Sequence, residues 1–143
     1  MLAPGAIIGG HYLVIDVIGK GGFSAVYLVQ DQQHKESFLA LKEVIVTHKE
    51  VRERFIFECE LLERLTHPSL PRVYNVFDDQ EHNRLYMLMD YVEGPNLEML
   101  RNVQHGRRFS LPIIIAILTP VVDALAYLHK QKPPVIHRDI KPA

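Results

Sequence analysis

Residues 12–29 read YLVIDVIGKGGFSAVYLV and carry the clearest local signals of secondary structure in the chain. Residues 12–18 are rich in β-branched and aromatic side chains, which favour a strand. Residues 19–22 (Gly-Lys-Gly-Gly) then supply a turn, because glycine bends the backbone without the penalty of a Cβ atom. Residues 25–29 are again typical of a strand. The sequence therefore predicts a strand, a glycine turn and a second strand.

The segments that follow predict more strands and one helix. Residues 30–37 form a polar turn, and residues 38–46 predict a third strand on which Ala40, Lys42 and Val44 share one face. Apolar residues at a spacing of 3.6 then predict a helix over residues 47–65, with Glu58 on its apolar side. Two further strands are predicted at residues 73–77 and 85–92. Gly94-Pro95 then breaks the pattern and predicts the boundary between two lobes of the chain.

Beyond that boundary the pattern predicts mainly helices. A short helix is expected at residues 96–103, followed by a longer one that Ser110 caps and that ends near Leu128. The long helix is apolar on more than one side, which predicts that other elements cover it, and Pro120 predicts a kink near Ala116. Residues 135–143 predict a strand that leads into a loop.

Bulk composition excludes several classes of protein. The 143 residues are 48% hydrophobic and carry a formal net charge of −1, which gives no electrostatic footprint for nucleic acid or anionic lipid. The single cysteine excludes an internal disulfide and favours a reducing, cytoplasmic compartment. Polar and proline residues interrupt the apolar stretch 111–128. We therefore expect a buried helix there and do not expect a membrane segment. The eight histidines show no spacing typical of a metal site.

Three groups of residues are candidates for chemistry, and each has a structural alternative. The glycines of residues 19–22 allow a phosphate to approach the backbone, or they simply form a hairpin turn. Lys42 and Glu58, each directed inward, predict an ion pair, although a lysine can pack its stem and a helix can expose its edge. Asp139, next to Arg138 and near Lys141, is expected to stay ionised and to accept a proton, or it belongs to a charged surface turn.

Taken in order, these groups resemble the protein kinase family. Gly19, Gly21 and Val26 are similar to its glycine loop, residues 39–42 to the strand with its nucleotide lysine, and residues 54–58 to its helix C. The turn at residues 65–68 and the His-Arg-Asp-Ile-Lys-Pro run at 137–142 resemble the family's next turn and its catalytic loop. Lysine two residues after the aspartate resembles the serine/threonine branch, and the run at residues 67–71 resembles bacterial members.

The resemblance implies an α+β fold. A five-stranded antiparallel N-lobe sheet with helix C would be followed by the first helices of a mainly helical C-lobe. Residues 1–10 would form an N-terminal extension, residues 11–93 the N-lobe and hinge, and residues 94–143 the start of the C-lobe, ending inside the catalytic loop. The elements that cover the long helix would then follow residue 143, so that its apolar face would be exposed in this chain.

The resemblance also implies a role for each candidate residue. Lys42, held by Glu58, would contact the α- and β-phosphates of ATP, Asp139 would accept or orient the substrate hydroxyl, and Lys141 would neutralise the transferring phosphoryl group. The glycine loop departs from the family at Ser24, which is expected to stiffen it slightly. The remaining implied residues form the adenine pocket and hinge: Ile18, Val26, Ala40, Pro71 at the wall, Met89 as gatekeeper, Asp90 and Val92.

The implied activity is ATP-dependent phosphorylation of serine and threonine on protein substrates. ATP and Mg²⁺ are the expected cofactors, and both protein ligands for Mg²⁺ would follow residue 143, so that no metal ligand is expected in this chain. The 143 residues alone are therefore expected to be inactive and to aggregate. One alternative is a non-catalytic module that binds a nucleotide or a partner, and another is a small-molecule phosphotransferase of the same fold.

Overall fold

The computed structural model describes residues 1–34 and 37–142, so the predicted turn at 30–37 and the last predicted segment are described only in part. The chain divides into two compact units. Unit 1 comprises Met1–Thr66 and Pro71–Val92, and unit 2 comprises His67–Leu70 and Glu93–Ala143. The chain passes from the first to the second after Val92, close to the predicted boundary at Gly94-Pro95.

Unit 1 contains an antiparallel sheet and one helix, which confirms the predicted α+β class. The sheet has six strands in the order β1-β2-β3-β4-β6-β5, rather than the five predicted. The strands are β1 (Ile7–Ile8), β2 (Tyr12–Lys20), β3 (Ser24–Asp31), β4 (Phe38–Ile45), β5 (Val73–Asp79) and β6 (Arg84–Asp90), and the helix α1 (Lys49–Glu63) lies between β4 and β5 in the chain.

The additional strand lies in the segment that the sequence analysis set apart as an N-terminal extension. Ile7 and Ile8 pair with Leu13 and Tyr12, across a turn in which Gly9 has a φ of +58°. A Cβ atom at Gly9 would lie 2.6 Å from Cε1 of Phe77. Glycine at this position therefore satisfies both the backbone angle and the close approach of an aromatic ring.

The two faces of the sheet have separate cores. On one face, Tyr27, Leu41 and other buried residues of β2, β3, β4 and β6 pack together, and partly buried Leu2, Ala6 and Ile8 cover them. On the other face, Phe55 and Cys59 of α1 pack against residues of β5 and β6: Val73, Leu85 and Met87. The period of two along each strand thus supplies apolar side chains to both faces.

Unit 2 is mainly helical, as predicted. It contains α2 (Leu97–Asn102), a short 3-10 helix (His105–Arg107) and α3 (Leu111–His129). The side chain of Asn96 caps α2 by accepting a hydrogen bond from the Met99 amide at 2.8 Å. Ser110 occupies the N-cap position of α3, but its side chain forms no capping hydrogen bond, so this part of the prediction is wrong.

Two further sequence predictions for unit 2 meet different outcomes. Pro120 lies inside α3, which continues without a break from Leu111–His129, and the kink near Ala116 stays a prediction. Residues 135–142 form no strand among the described residues, which corrects the predicted strand-to-loop segment. Two hydrogen bonds join this segment to helices: the Val135 amide donates to the Leu128 carbonyl at 3.0 Å, and the Glu98 amide donates to the Pro142 carbonyl at 3.2 Å.

Helix α3 has little cover. Ala124 and Leu128 are its buried residues, while Leu111, Ile115, Leu118 and Val122 are exposed. Its 18-residue window has a mean hydropathy of 2.1 and is 11% buried, and by length and composition alone the helix is long and apolar enough to cross a membrane. The described residues therefore do not bury this helix, which corrects the buried helix expected from its composition, whereas the exposed apolar face agrees with the expectation from the family resemblance.

Candidate functional site

The glycine turn joins β2 to β3 as a tight hairpin. The Gly21 amide donates to the Ser24 carbonyl at 2.8 Å, and Gly19 pairs with Val26. The Ile45 amide donates to the Phe23 carbonyl at 3.0 Å, which ties the turn to the end of β4. The hairpin interpretation is correct for the geometry, and it leaves the glycines beside the strand that carries Lys42.

Lys42 lies in a row of cross-strand neighbours. It pairs with Val26 of β3 on one side and with Met87 of β6 on the other, while Ala40 pairs with Met89. Directly paired residues of antiparallel strands lie on the same face, so these side chains form one patch on the face that α1 covers. Lys42 Nζ lies 6.0 Å from the centroid of the Phe55 ring.

The predicted ion pair between Lys42 and Glu58 is wrong for this structure. Glu58 is exposed, and the ion pairs within 4.0 Å among the described residues do not join it to Lys42. The buried face of α1 instead passes through Phe55 and Cys59. The thiol accepts burial at little cost, whereas a carboxylate in that position would lose its hydration without a partner.

The pKa of the Cys59 thiol depends on the charged residues near this face of the sheet. Burial and, to a smaller extent, the charge of Glu58 raise the pKa of its thiol to about 12, while the charge of Lys42 opposes the shift. Its Sγ lies 3.5 Å from Sδ of Met87. Lys42 and Glu58 therefore both influence the same buried sulfur although they do not form an ion pair.

An ion pair connects the first half of helix α1 to strand β5. Arg52, which is partly buried, forms this ion pair with the exposed Asp78 of β5. The sequence gives no indication of this partner for Arg52, since Asp78 is 26 residues away in the chain.

The predicted hinge begins where β6 ends, at Met89 and Asp90. The Asp90 amide donates to the Arg72 carbonyl at 2.9 Å. Its carboxylate accepts from the Arg72 amide at 2.8 Å and from the Tyr74 hydroxyl at 2.6 Å. Val92 is exposed. Sequence reasoning did not identify Arg72 and Tyr74, whose partner lies in a different strand.

The residues predicted for the adenine pocket lie on neighbouring strands of unit 1. Ile18 on β2 is partly exposed, Val26 lies on β3, and Ala40 on β4 is buried. Pro71 lies just before β5, in the segment that returns the chain to unit 1. The sheet thus brings Val26 and Ala40 onto the same face as Lys42, while Ile18 keeps contact with solvent.

The sequence analysis missed the buried carboxylate of Glu43, which follows Lys42 in the chain and lies on the opposite face of the sheet. Glu43 is 2% exposed, and it accepts hydrogen bonds from the Tyr27 hydroxyl and from the Arg84 guanidinium. The Leu2 amide donates to the Tyr27 hydroxyl at 2.9 Å, which extends the network to the N-terminal segment. Burial, then the bond to Glu43, raises the pKa of Tyr27 to about 12, and the same carboxylate raises the pKa of Arg84.

In unit 2, the predicted proton acceptor is exposed and paired. Lys141 Nζ lies 2.9 Å from Asp139 Oδ2, and this hydrogen bond holds the pKa of Asp139 below its usual value. The Asp139 amide donates to His137 Nδ1 at 3.4 Å. Arg138 has a φ of +63°. Asp139 therefore stays ionised at neutral pH, as a group that accepts a proton must.

The residues described by the structure include no group of three or more His, Cys, Asp or Glu side chains that could hold a metal ion. Lys42 and the glycine turn lie in unit 1, and Asp139 and Lys141 lie in unit 2. Each unit on its own therefore presents part of the residue set that the sequence analysis assembled.

The sheet, helix and lysine of unit 1 and the His-Arg-Asp segment of unit 2 define a protein kinase domain. Residues 12–143 match the family model described as Protein kinase domain, and the chain belongs to that family. Its relatives include serine/threonine kinases, one of them bacterial. It is 36% identical over 128 residues to Aurora kinase B of Xenopus tropicalis, covering 87% of this chain and 34% of that protein.

The chain is also 31% identical over 144 residues to Serine/threonine-protein kinase B of Synechocystis sp., covering 95% of this chain and 24% of the relative. Among solved structures, the kinase domain of Mycobacterium tuberculosis PknI is 31% identical with a TM-score of 0.80, covering all of this chain and 56% of that one. The fold is therefore protein-kinase-like, and the chain spans about half of that kinase domain.

Proposed function

We propose that the protein transfers the γ-phosphoryl group of ATP to serine or threonine hydroxyls of protein substrates. The observation that carries the proposal is the row formed by Val26, Lys42 and Met87, which sets one partly buried cation beside the glycine hairpin. An ammonium next to a turn of backbone amides is suited to bind the phosphates of a nucleotide. Membership of the protein kinase family supports the same assignment.

The residues of unit 1 are proposed to bind the nucleotide. The turn that contains Gly19, Gly21 and Ser24 lies over the phosphates, and Lys42 contacts the α- and β-phosphates. Val26, Ala40 and Met89 present an apolar surface to the adenine ring, because their strands place them on one face of the sheet. The hinge backbone at Asp90 and Val92 supplies the polar contacts to the base.

The residues of unit 2 are proposed to act on the acceptor hydroxyl. The contact with Lys141 lowers the pKa of Asp139, so its carboxylate is ionised and can orient the hydroxyl. It is proposed to accept the hydroxyl proton as the phosphoryl group is transferred. Lys141, at 2.9 Å from that carboxylate, supplies positive charge for the phosphoryl group. The family pairs ATP with Mg²⁺, which neutralises phosphate charge, and the ligands of this ion are proposed to lie outside the described residues.

A non-catalytic nucleotide-binding module is the second candidate, and one observation favours it. Glu58 faces solvent and leaves Lys42 without the carboxylate partner expected of an active kinase. Such a module would still bind ATP through Lys42 and the glycine turn. It would have no use for Asp139 as a proton acceptor. The cytoplasm is proposed as the compartment for either function, since Cys59 is a free thiol.

The test is phosphate transfer and ATP binding by the protein purified from expression of its own gene. With labelled ATP, Mg²⁺ and a serine-containing protein substrate, the wild type is expected to transfer label. Asp139→Asn is expected to abolish transfer and leave ATP binding intact, whereas Lys42→Met weakens both. Binding without transfer in the wild type would establish the second candidate, and no binding would reject both.

Lys49→Met is the matched control for Lys42→Met. Lys49 lies at the start of α1 on the surface, 3.4 Å from Glu53, and the substitution removes the same charge. It is expected to leave transfer and binding unchanged, because exposed ion pairs of this kind contribute little. An intact mass measured for the native protein identifies which polypeptide carries the activity.

A further inference from the structure

The hinge residue Asp90 forms hydrogen bonds through both its backbone amide and its side-chain carboxylate. Its amide donates to the Arg72 carbonyl at 2.9 Å. Its carboxylate oxygens accept separately, Oδ2 from the Arg72 amide at 2.8 Å and Oδ1 from the Tyr74 hydroxyl at 2.6 Å. Three hydrogen bonds from β5 and the segment before it therefore fix the orientation of one residue at the end of β6.

A β-bulge brings Tyr74 to this position. Val73 pairs with Met89, but Asn75 pairs with Leu88, so Tyr74 is the extra residue of β5 between them. A bulge changes the direction of the side chain that it carries, at the expense of regular pairing. Here the change directs the tyrosine hydroxyl to the Asp90 carboxylate.

Tyr74 is not a core residue. Its side chain is 48% exposed, and the Arg72 guanidinium lies 5.6 Å from the centroid of its ring. The hydrogen bond to Asp90, more than burial, raises the pKa of the Tyr74 hydroxyl. The apolar packing of β5 is supplied by Val73, which is buried against α1 and β6. Tyr74 therefore contributes mainly through its contact with Asp90.

The engaged amide decides what Asp90 can offer a ligand. Because its N–H already donates to Arg72, the polar backbone group that remains for a base is the carbonyl oxygen, which only accepts. Adenine carries an amino group that donates to such an oxygen, whereas guanine has a carbonyl oxygen at the same ring position. Two acceptors facing each other repel, so a fixed carbonyl discriminates between the bases.

We propose that Tyr74 and the Asp90 carboxylate are positioning residues that orient the Asp90 carbonyl toward the amino group of adenine, and so determine the preference for ATP over GTP. The inference rests on the proposed function, since it requires a nucleotide in unit 1. It assigns specificity to two side chains that need not touch the nucleotide.

The test is the ratio of the dissociation constants of GTP and ATP in the purified protein with and without Tyr74→Phe. The substitution removes the hydroxyl and keeps the ring. ATP binding is expected to weaken about five-fold, the effect of losing one aligned hydrogen bond, while GTP binding changes less than about two-fold. Asp90→Ala, which keeps the backbone carbonyl, is expected to lower the ratio by a similar factor.

The double variant identifies the mechanism. If both side chains act through the same carbonyl, Tyr74→Phe in the Asp90→Ala protein lowers the ratio no further. Tyr12→Phe is the matched control, because its ring packs 5.8 Å from Phe77 in the same sheet and is remote in register from Asp90. It is expected to leave the ratio unchanged.

The outcomes separate this inference from the function on which it rests. A wild type that binds neither nucleotide overturns the proposed function and the inference together. A wild type that prefers ATP, with the same preference in Tyr74→Phe and Asp90→Ala, overturns the inference alone. An equal loss of ATP and GTP binding also overturns it, because that result indicates a structural role. Asp90→Ala decides the question if Tyr74→Phe does not fold.

Discussion

Replacing Arg84 by methionine is expected to destabilise unit 1 strongly, because it removes the cation from a buried carboxylate. The Glu43 side chain is 2% exposed, whereas that of Arg84 is 27% exposed. Methionine preserves most of the apolar stem of arginine. The substitution therefore tests the charge contact more than the packing.

The magnitude follows from the burial of each partner. Breaking a fully buried ion pair from one side costs about 3–5 kcal/mol. Arg84 retains some contact with water, and the Tyr27 hydroxyl still donates to Glu43 after the substitution. These two facts place the expected loss at the lower end, about 3 kcal/mol.

A second substitution makes the reasoning specific. Glutamine at position 43 has no charge and can still accept the hydrogen bond from Tyr27. In the Arg84→Met protein, Glu43→Gln is therefore expected to restore about 1–2 kcal/mol, since it removes the stranded charge. In the wild type the same substitution is expected to destabilise by about 1–2 kcal/mol, since it replaces a charged acceptor of two hydrogen bonds.

Urea unfolding followed by far-ultraviolet circular dichroism measures these free energies. Amide hydrogen exchange in β3 and β4 reports whether unit 1 is the part that unfolds. Arg101→Met is the control, because Arg101 pairs at 3.5 Å with Glu98 and both side chains are about half exposed. That variant is expected to lose less than about 1 kcal/mol. If Glu43→Gln has the same sign in both backgrounds, the buried pair does not act as described.

Cys59 is expected to resist alkylation by iodoacetamide at pH 8 until urea is added, since burial raises the pKa of its thiol to about 12; mass spectrometry of the native protein would contradict this by showing rapid labelling. Lys141→Met is expected to return the lowered pKa of Asp139 toward its ordinary value, as followed by NMR titration of the carboxyl carbon. Because that pKa is lowered in the folded protein, the contact with Lys141 is present at neutral pH and is lost on acidification; an unchanged titration would refute the assignment. The 143-residue chain is expected to self-associate through α3, and Leu118→Gln to weaken association about ten-fold, the effect of removing about 50 Å² of apolar contact; sedimentation showing a monomer at high concentration would count against it.

Much of unit 1 could be predicted from local pattern. The strand, glycine turn and strand of residues 12–29 are present as β2 and β3, and the helix predicted over residues 47–65 is present as α1 (Lys49–Glu63). These predictions succeed because backbone propensity and periodicity depend on neighbours in the chain. β1 was missed because a two-residue strand has no periodicity, and its position depends on Phe77, far along the chain.

The candidate site shows the same division. Glu58 was placed in the buried stripe because a helical period cannot distinguish it from Cys59 next to it, and only the packing of α1 on β5 and β6 decided which of the two is buried. The roles given to Lys42 and Asp139 by family resemblance stay predictions.

Motifs and spacing in the sequence were sufficient to predict the protein kinase family, the chain order of β2 to β6 and of the helices α1 to α3, and the candidate residues. The hydrogen-bond partners of the Glu43 and Asp90 carboxylates depend on tertiary contacts and could not be predicted from the sequence. Glu43 accepts hydrogen bonds from Tyr27 and Arg84, which lie 16 and 41 residues away in the chain. Asp90 accepts one from Tyr74, at a distance of 16 residues in the chain. A carboxylate takes whichever donors the sheet register brings to it, and that register is set by packing across the whole sheet rather than by neighbours in the chain.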